Sequence, residues 1–218
     1  MNSGKYVFSQ LVEVLPKRRF DLLVEKYEGN KYVKHFTCWN QLLCMIFGQL
    51  TNRESLRDLS MIIQAHDKKT YHLGLGRKVS RSNLAKANEN RDSRLFEEFA
   101  YLLIDIARKK RSIEVNKIQS PVYAFDSTTI DLCISIYWWA RHKKTRAGIK
   151  VHTLYDVTTQ IPSFIHITSA AYNDMNAMDY ITYEPGAYYI FDRAYMDYKR
   201  LHTISKHSAY FLIRGKSN

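Results

Sequence analysis

The sequence predicts an α+β protein, with an all-helical region over residues 1–117 and a mixed α/β region over residues 118–218. Three observations predict it. Up to about residue 115 the apolar residues recur at helical spacing; after "NKIQSP" they fall into short runs rich in β-branched and aromatic residues; and helical stretches separate the later runs. A hydrophobic content of 45% with 8 Gly and 4 Pro in 218 residues fits a folded chain with a core.

The first region opens with short helices at about 6–15 and 17–27, separated by Pro16. Thr37 reads as the cap of a helix whose apolar face is Leu42, Leu43, Ile46, Phe47 and Leu50. Thr51 and Glu54 have capping-box spacing and open a helix carrying Leu56, Leu59, Ile62 and Ile63. Another helix follows Ser80. The longest, "DSRLFEEFAYLLIDIARKKR", has acids at its start and Arg108–Arg111 at its end, as a helix dipole favours. Strands are predicted at "VYAFD", "IKVHTLYDV", "IPSFIHITS", "YYIFD" and "AYFLIRG", with "TTQ" as a turn. "NDMNAMDYI", capped by Asn173 or Asp174, and "DYKRLHTISKH" read as helices. The first three strands form a meander and the later two join through helices, which gives a mixed sheet.

The chain carries 33 Lys and Arg against 21 Asp and Glu, net +12, of which residues 1–120 hold +9. That balance suits a polyanionic partner, nucleic acid first. Cys38, Cys44 and Cys133 are odd in number and lack C-x-x-C spacing, so neither a disulfide framework nor a zinc cluster is indicated, and buried thiols in a reducing cytoplasm are expected. No stretch has the length of a signal-peptide core or a membrane span.

Asp126 and Asp192 each end an aromatic run where a buried strand would carry another apolar residue. Two carboxylates brought together at adjacent strand ends repel unless a proton or a cation lies between them, and hard oxygen ligands select Mg2+ or Mn2+. The same residues also fit a plainer reading, in which Asp126 opens a turn in "DSTT" and Asp192 caps the following helix.

"YAFDSTTIDLC", "GIKVHTLYDV", "IPSFIHIT", "EPGAYYIFDRAYMDYKRL" and "FLIRGKSN" resemble, in order, the catalytic region of bacterial insertion-sequence transposases of the Asp-Asp-Glu (DDE) type, in the group usually numbered four. "FTCWNQLLCMIFGQLTNRESLRDL", "YHLGLG", "VSRSNLAKANENRD" and "FEEFAYLLI" resemble that group's N-terminal helical region. The resemblance implies a ribonuclease-H-like catalytic domain, with Asp126 and Asp192 as the first two catalytic, metal-binding acids of a triad. It implies metal-dependent strand cleavage and transfer, double-stranded DNA of element ends and target as partner, a homodimer on paired ends, and a cytoplasmic, nucleoid-associated location. The family's third acid is a glutamate on a helix beyond "RGKSN". The only glutamate here after residue 114 is Glu184, which fits neither that helix nor its neighbours. The expectation is therefore an incomplete ribonuclease-H-like domain, inactive alone, with a non-catalytic occupant of element ends as the competing reading and a general nuclease of that fold as a third.

Arg141, Lys143, Lys144, Arg146 and Lys150 are expected in a loop between the first two strands, gripping phosphates or simply solvated. Arg81, Asn83 and Lys86, after Ser80, suit phosphate or base-edge contact or an ordinary helix surface. His152 could face the site but reads first as structural, and Asp131 and Asp197 could join the metal site but read first as a surface carboxylate and a helix-start residue.

Overall fold

A computed structural model describes residues 6–76, 79–114, 120–132, 141–143 and 146–215. The chain falls into two compact units, Met1–Leu103 and Ile104–Asn218, and the division lies within one long helix.

The first unit is helical: α1 (Val7–Val12), α2 (Lys17–Lys26), α3 (Cys38–Leu50), α4 (Leu56–Ala65), the single turn α5 (Asp67–Thr70), α6 (Arg81–Asn90) and the first half of α7 (Ser93–Glu114). Pro16 stands just before α2, where its carbonyl accepts from the amides of Arg19 and Phe20 at 2.9 and 3.2 Å. Thr37 caps α3 in a closed box: its hydroxyl accepts from the Asn40 amide at 3.2 Å while Asn40 Oδ1 accepts from the Thr37 amide at 3.1 Å. Ser80 caps α6 by accepting from the Asn83 amide at 3.2 Å.

The box expected at Thr51 and Glu54 does not form. Helix α3 runs on to Leu50, Thr51 closes it by donating its hydroxyl to the Phe47 carbonyl at 2.7 Å, and the backbone then turns through left-handed Asn52 (φ 53°). Ser55 caps α4 instead, accepting from the Asp58 amide at 3.1 Å. A second difference lies at α7, where Asp92 precedes the helix rather than occupying its first turn and accepts from the Arg94 amide at 2.9 Å.

Leu43, Leu59, Ile63, Leu75 and Leu84 form one buried cluster, and Phe20, Val24, Cys38, Leu95 and Phe99 another, in which the Phe20 and Phe99 rings meet edge-on at 4.9 Å. Cys38 and Cys44 are free and buried, and burial pushes the Cys44 thiol up to about 12; Cys133 lies outside the described residues. Between α6 and α7 the half-buried Arg91 donates to the Thr37 carbonyl at 3.0 Å, to Gln41 Oε1 at 2.8 Å and to the Phe36 carbonyl. One guanidinium thereby ties the start of α3 to the α6–α7 joint.

The second unit holds a mixed sheet: β1 (Val122–Leu132), β2 (Arg141–Lys143), β3 (Arg146–Asp156), β4 (Ile161–Ser169), β5 (Tyr188–Phe191) and β6 (Tyr210–Ile213). β1, β3 and β4 form the antiparallel meander, β2 pairs the start of β3, and β5 and β6 add on parallel to β1, in the order β2-β3-β1-β5-β6 with β4 also on β3. Parallel neighbours need a crossover, and helix α8 (Tyr198–Lys206), capped by Asp197, supplies it between β5 and β6. The whole is an α+β architecture whose second unit is a ribonuclease-H-like mixed sheet.

Strand β1 is longer than "VYAFD". It continues through Leu132 because β3 offers a ladder along its whole length, from Tyr123 opposite Asp156 to Leu132 opposite Ala147, and Thr128, Thr129 and Ile130 suit a pleated surface. The basic segment expected as a loop likewise holds strand backbone, β2 and the first residues of β3. "NDMNAMDYI" is a 3-10 helix over Asp174–Tyr180 rather than an α-helix, with Asn173 as its cap. The turn at "TTQ" forms around buried Asp156, whose Oδ1 accepts from the amides of Thr158 and Thr159 at 2.9 and 3.0 Å.

Two consequences are measurable by urea unfolding. Arg91→Ala leaves three acceptors without their donor and lowers stability by about 2–3 kcal/mol. Ser55→Ala costs about 1 kcal/mol while Glu54→Ala costs nearly nothing; equal losses at the two positions would restore the Thr51 box.

Candidate active site

Along β1, alternation turns Tyr123 and Phe125 into the core and leaves Asp126 exposed. Along β5, Tyr189 and Phe191 are buried and Asp192 follows, exposed. The parallel register pairs Phe125 with Phe191, so each acid is the next residue beyond that pair, Asp126 within β1 and Asp192 just past the end of β5. There β5 ends and the chain turns into a short 3-10 helix, Arg193–Tyr195.

Each acid is held locally. Asp126 Oδ1 accepts from the Ser127 amide at 2.8 Å, and Asp192 Oδ1 from the Arg193 amide at 2.7 Å, so Asp192 also acts as a cap. Among the described residues neither acid is in an ion pair, and the second oxygen of each has no protein partner.

A third carboxylate, which sequence reading took only as a possible cap, belongs to this neighbourhood. Asp174, at the start of its 3-10 helix, accepts from the Ser127 hydroxyl at 2.9 Å through Oδ1 and from Lys150 Nζ at 3.1 Å through Oδ2. Lys150 also donates to the Tyr172 carbonyl at 2.8 Å. His152 is fully buried; its Nε2 shares a hydrogen bond with the Thr168 hydroxyl at 2.9 Å, while Nδ1 lies 3.8 Å from Asp174 Oδ1 without a hydrogen-bond partner. Burial holds its pKa below the usual 6.5, against the pull of Asp174, so the ring is neutral near pH 7.

Tyr195 packs its ring on Phe125 at 5.3 Å and on Phe191 at 6.1 Å. Its hydroxyl is buried and has no hydrogen-bond partner. Burial pushes its pKa up to about 12, the neighbouring Ser127 hydroxyl acts against that, and Asp174, Asp126 and Asp192 add to it.

Two exposed carboxylates with open oxygens are a donor set suited to a hard divalent cation. Among the described residues, however, no three His, Cys, Asp or Glu side chains are grouped to hold a metal ion. Glu184 faces the other end of the strands, where its Oε2 accepts from the Tyr123 hydroxyl at 3.0 Å and that hydroxyl accepts from Arg108 at 3.1 Å. Asp131 lies five residues along β1 opposite Gly148, and Asp197 is spent on capping α8 and on Arg200.

Of the basic residues, Arg141 and Lys143 belong to β2 and Arg146 opens β3, while Lys144 lies outside the described residues. Lys150 is turned inward onto Asp174 as described. Arg81, Asn83 and Lys86 are exposed on α6 in the first unit. No signal in single-residue spacing marks Asp174 or Tyr195; the "DST" and "DRAY" strings contain their partners, Ser127 and Tyr195 itself.

Residues 3–76 match a family model described as a domain of unknown function (DUF4372), and residues 117–218 match that of the transposase DDE domain. The protein named "Putative transposase y4zB" from Sinorhizobium fredii (strain NBRC 101917 / NGR234) is 34% identical over 136 residues, which span 62% of this chain and 37% of that relative's length. These likenesses together support a transposase of the DDE type. No helix among the described residues is long and apolar enough to cross a membrane.

The buried histidine sets a pH dependence of stability. With its folded pKa below 6.5, the unfolded chain binds the proton more readily, so the contribution is complete above 6.5 and is lost as pH falls below it. Urea midpoints measured from pH 8 to pH 5 are expected to fall more steeply for the wild type than for His152→Gln; parallel curves would place the neutral ring elsewhere.

Proposed function

We propose that this chain supplies the DNA-binding helices and the first two metal-binding acids of an insertion-sequence transposase of the DDE type. The observation that supports this reading is the Phe125–Phe191 register, after which Asp126 and Asp192 are the next residues, Asp126 within β1 and Asp192 just past the end of β5. It joins the match of residues 117–218 to the transposase DDE domain.

In this reading Asp126 and Asp192 would hold Mg2+ or Mn2+, and the chemistry such an ion would supply is activation of a hydroxyl and stabilisation of negative charge at a phosphodiester. The chain's own residues orient that chemistry. The β1–β3 ladder fixes Asp126, and the Ser127–Asp174–Lys150 chain braces the strand beside it. Tyr195 keeps its proton and offers a neutral hydroxyl to the acidic site. In this reading Arg141, Lys143, Lys144 and Arg146 offset phosphate charge, while Arg81, Asn83 and Lys86 contact DNA through α6; Lys150, expected among them, is instead engaged with Asp174. A dimer on paired element ends, in the cytoplasm and at the nucleoid, completes the proposal.

By the resemblance, a third acid, a glutamate on a helix, completes the metal site. Two carboxylates alone bind the ion weakly and leave the displacement without full geometric control. A second reading, a non-catalytic occupant of element ends, is favoured by one observation: no three-ligand group among the described residues.

The two readings separate in a nicking and joining assay on element-end DNA with Mg2+. The 218-residue chain is expected to do neither reaction, and a version extended through the glutamate helix to do both. Asp126→Ala or Asp192→Ala in the extended form abolishes both reactions and leaves DNA binding largely intact. Activity that survives both substitutions would remove the acid pair from the mechanism. DNA affinity should also fall steeply with salt, and Lys86→Ala should reduce the slope of log K against log salt by about 1.

A further inference from the structure

The segment joining α2 to α3 in the first unit contains two residues in the left-handed region, Glu28 (φ 48°) and Tyr32 (φ 60°). For a bulky side chain that backbone carries a steric penalty, and it persists only where surrounding contacts enforce it. Here they do. The Gly29 amide donates to the Val24 carbonyl at 2.9 Å, Lys31 to Glu28 at 2.9 Å and Val33 to Asn30 at 3.0 Å, all through backbone groups. Asn30 Oδ1 accepts from the Cys38 amide at 2.8 Å, and the Cys38 thiol donates to the Gly29 carbonyl at 3.1 Å. The segment sits so close to α3 and α7 that a β-carbon on Gly29 would come within 2.7 Å of Cys38 Sγ and 3.0 Å of Leu95 Cδ1.

This rigid seat holds up a side chain that gives little to the fold. Tyr32 is 93% exposed, and the ring contact recorded for it is the Lys31 ammonium at 6.0 Å. Beside it opens a groove of about 570 Å³ whose lining includes Lys34, His35, Asn83, Lys86 and Asn90. Its acids are already matched: Glu28 by Lys31 at 2.7 Å and Asp92 by Arg94 at 2.6 Å. Lys34 and Lys86 are in no ion pair among the described residues. An exposed aromatic plane, two unmatched cations and two amides along one groove are the elements by which single strands are bound: bases stack on the ring and phosphates meet the charges. The volume has room for a nucleotide rather than for a segment of duplex.

We infer that this groove takes an unpaired stretch of nucleic acid, with Tyr32 stacking on a base and Lys34 and Lys86 meeting flanking phosphates. The inference rests on the DNA-binding reading above and adds to it the kind of strand and the residue that receives it.

The test uses the full 218-residue chain, a fluorescein-labelled thymidine oligonucleotide and a duplex of equal length, with affinities read by anisotropy. Tyr32→Ala should weaken single-strand binding by about 5- to 150-fold, the range of one lost stack, and weaken duplex binding far less. Tyr32→Phe should bind like the wild type. The double variant Lys34→Ala/Lys86→Ala should weaken both and flatten the salt dependence. Tyr32→Gly relieves the left-handed strain and should raise Tm by about 2–4 °C while binding as weakly as Tyr32→Ala; a structural role would move stability and binding together. Single-strand affinity within twofold of wild type for Tyr32→Ala overturns the stacking role. Wild-type binding by the lysine pair variant overturns the groove and the Lys86 contact through α6, while leaving the acid-pair reading in place. A chain that binds neither single strand nor duplex at low salt overturns both.

Discussion

The parallel pairing of β1 with β5 is the constraint from which the candidate site follows. A strand slipped by one residue sends every side chain to the opposite face, so the register is fixed wherever one face is buried. Here it is fixed by aromatic rings: Tyr123 stacks on Tyr189 at 5.2 Å, Phe125 meets Phe191 at 6.0 Å, and all four are buried. No force between the acids themselves favours their proximity. Core packing sets them one residue beyond the last aromatic pair, through burial worth about 1.5–3 kcal/mol for each large side chain.

The surroundings of the acids divide into a rigid side and a solvent side. Asp126 stands in a strand with β3 paired to it well past the end of β5, whereas Asp192 stands at a break where the chain leaves the sheet for a short helix. The stiffness of β1 at that point is reinforced by Ser127, whose hydroxyl binds Asp174, which Lys150 in turn neutralises. A carboxylate so engaged is a brace rather than an open ligand. Of Asp174, Asp126 and Asp192, only the last two therefore have an unengaged oxygen.

Much of this was legible in the sequence, and what was not has definable causes. Thr37, Ser80 and Pro16 stand alone as helix signals and were read correctly from their chemistry. Thr51 and Ser55 compete four residues apart, and the choice depends on how far α3 extends, which packing of Gly48 against Leu59 helps decide and spacing does not. The turn propensity of "DSTT" lost to a tertiary ladder supplied by β3, a partner some twenty residues away. Strand backbone in the basic segment arises likewise from pairing with β3. Asp174 escaped notice because an acid beside Asn173 is an ordinary helix start; its bond to Ser127 spans 47 residues and exists only once the strands have folded.

Positioning and charge are separated in this chain, and the separation bears on how substitutions combine. The groups that locate Asp126 and Asp192 are buried rings and ladder bonds, in contact with one another, so changes among Tyr123, Phe125, Tyr189 and Phe191 should be strongly non-additive. The excess charge sits mostly in residues 1–120, on exposed side chains such as Arg81 and Lys86 that share no such contacts. In the proposed DNA-binding role, losses there should sum. Under the proposed function, such a chain would tolerate drift in DNA affinity one residue at a time, while the geometry of its acid pair is kept or lost as a unit with the core that sets it.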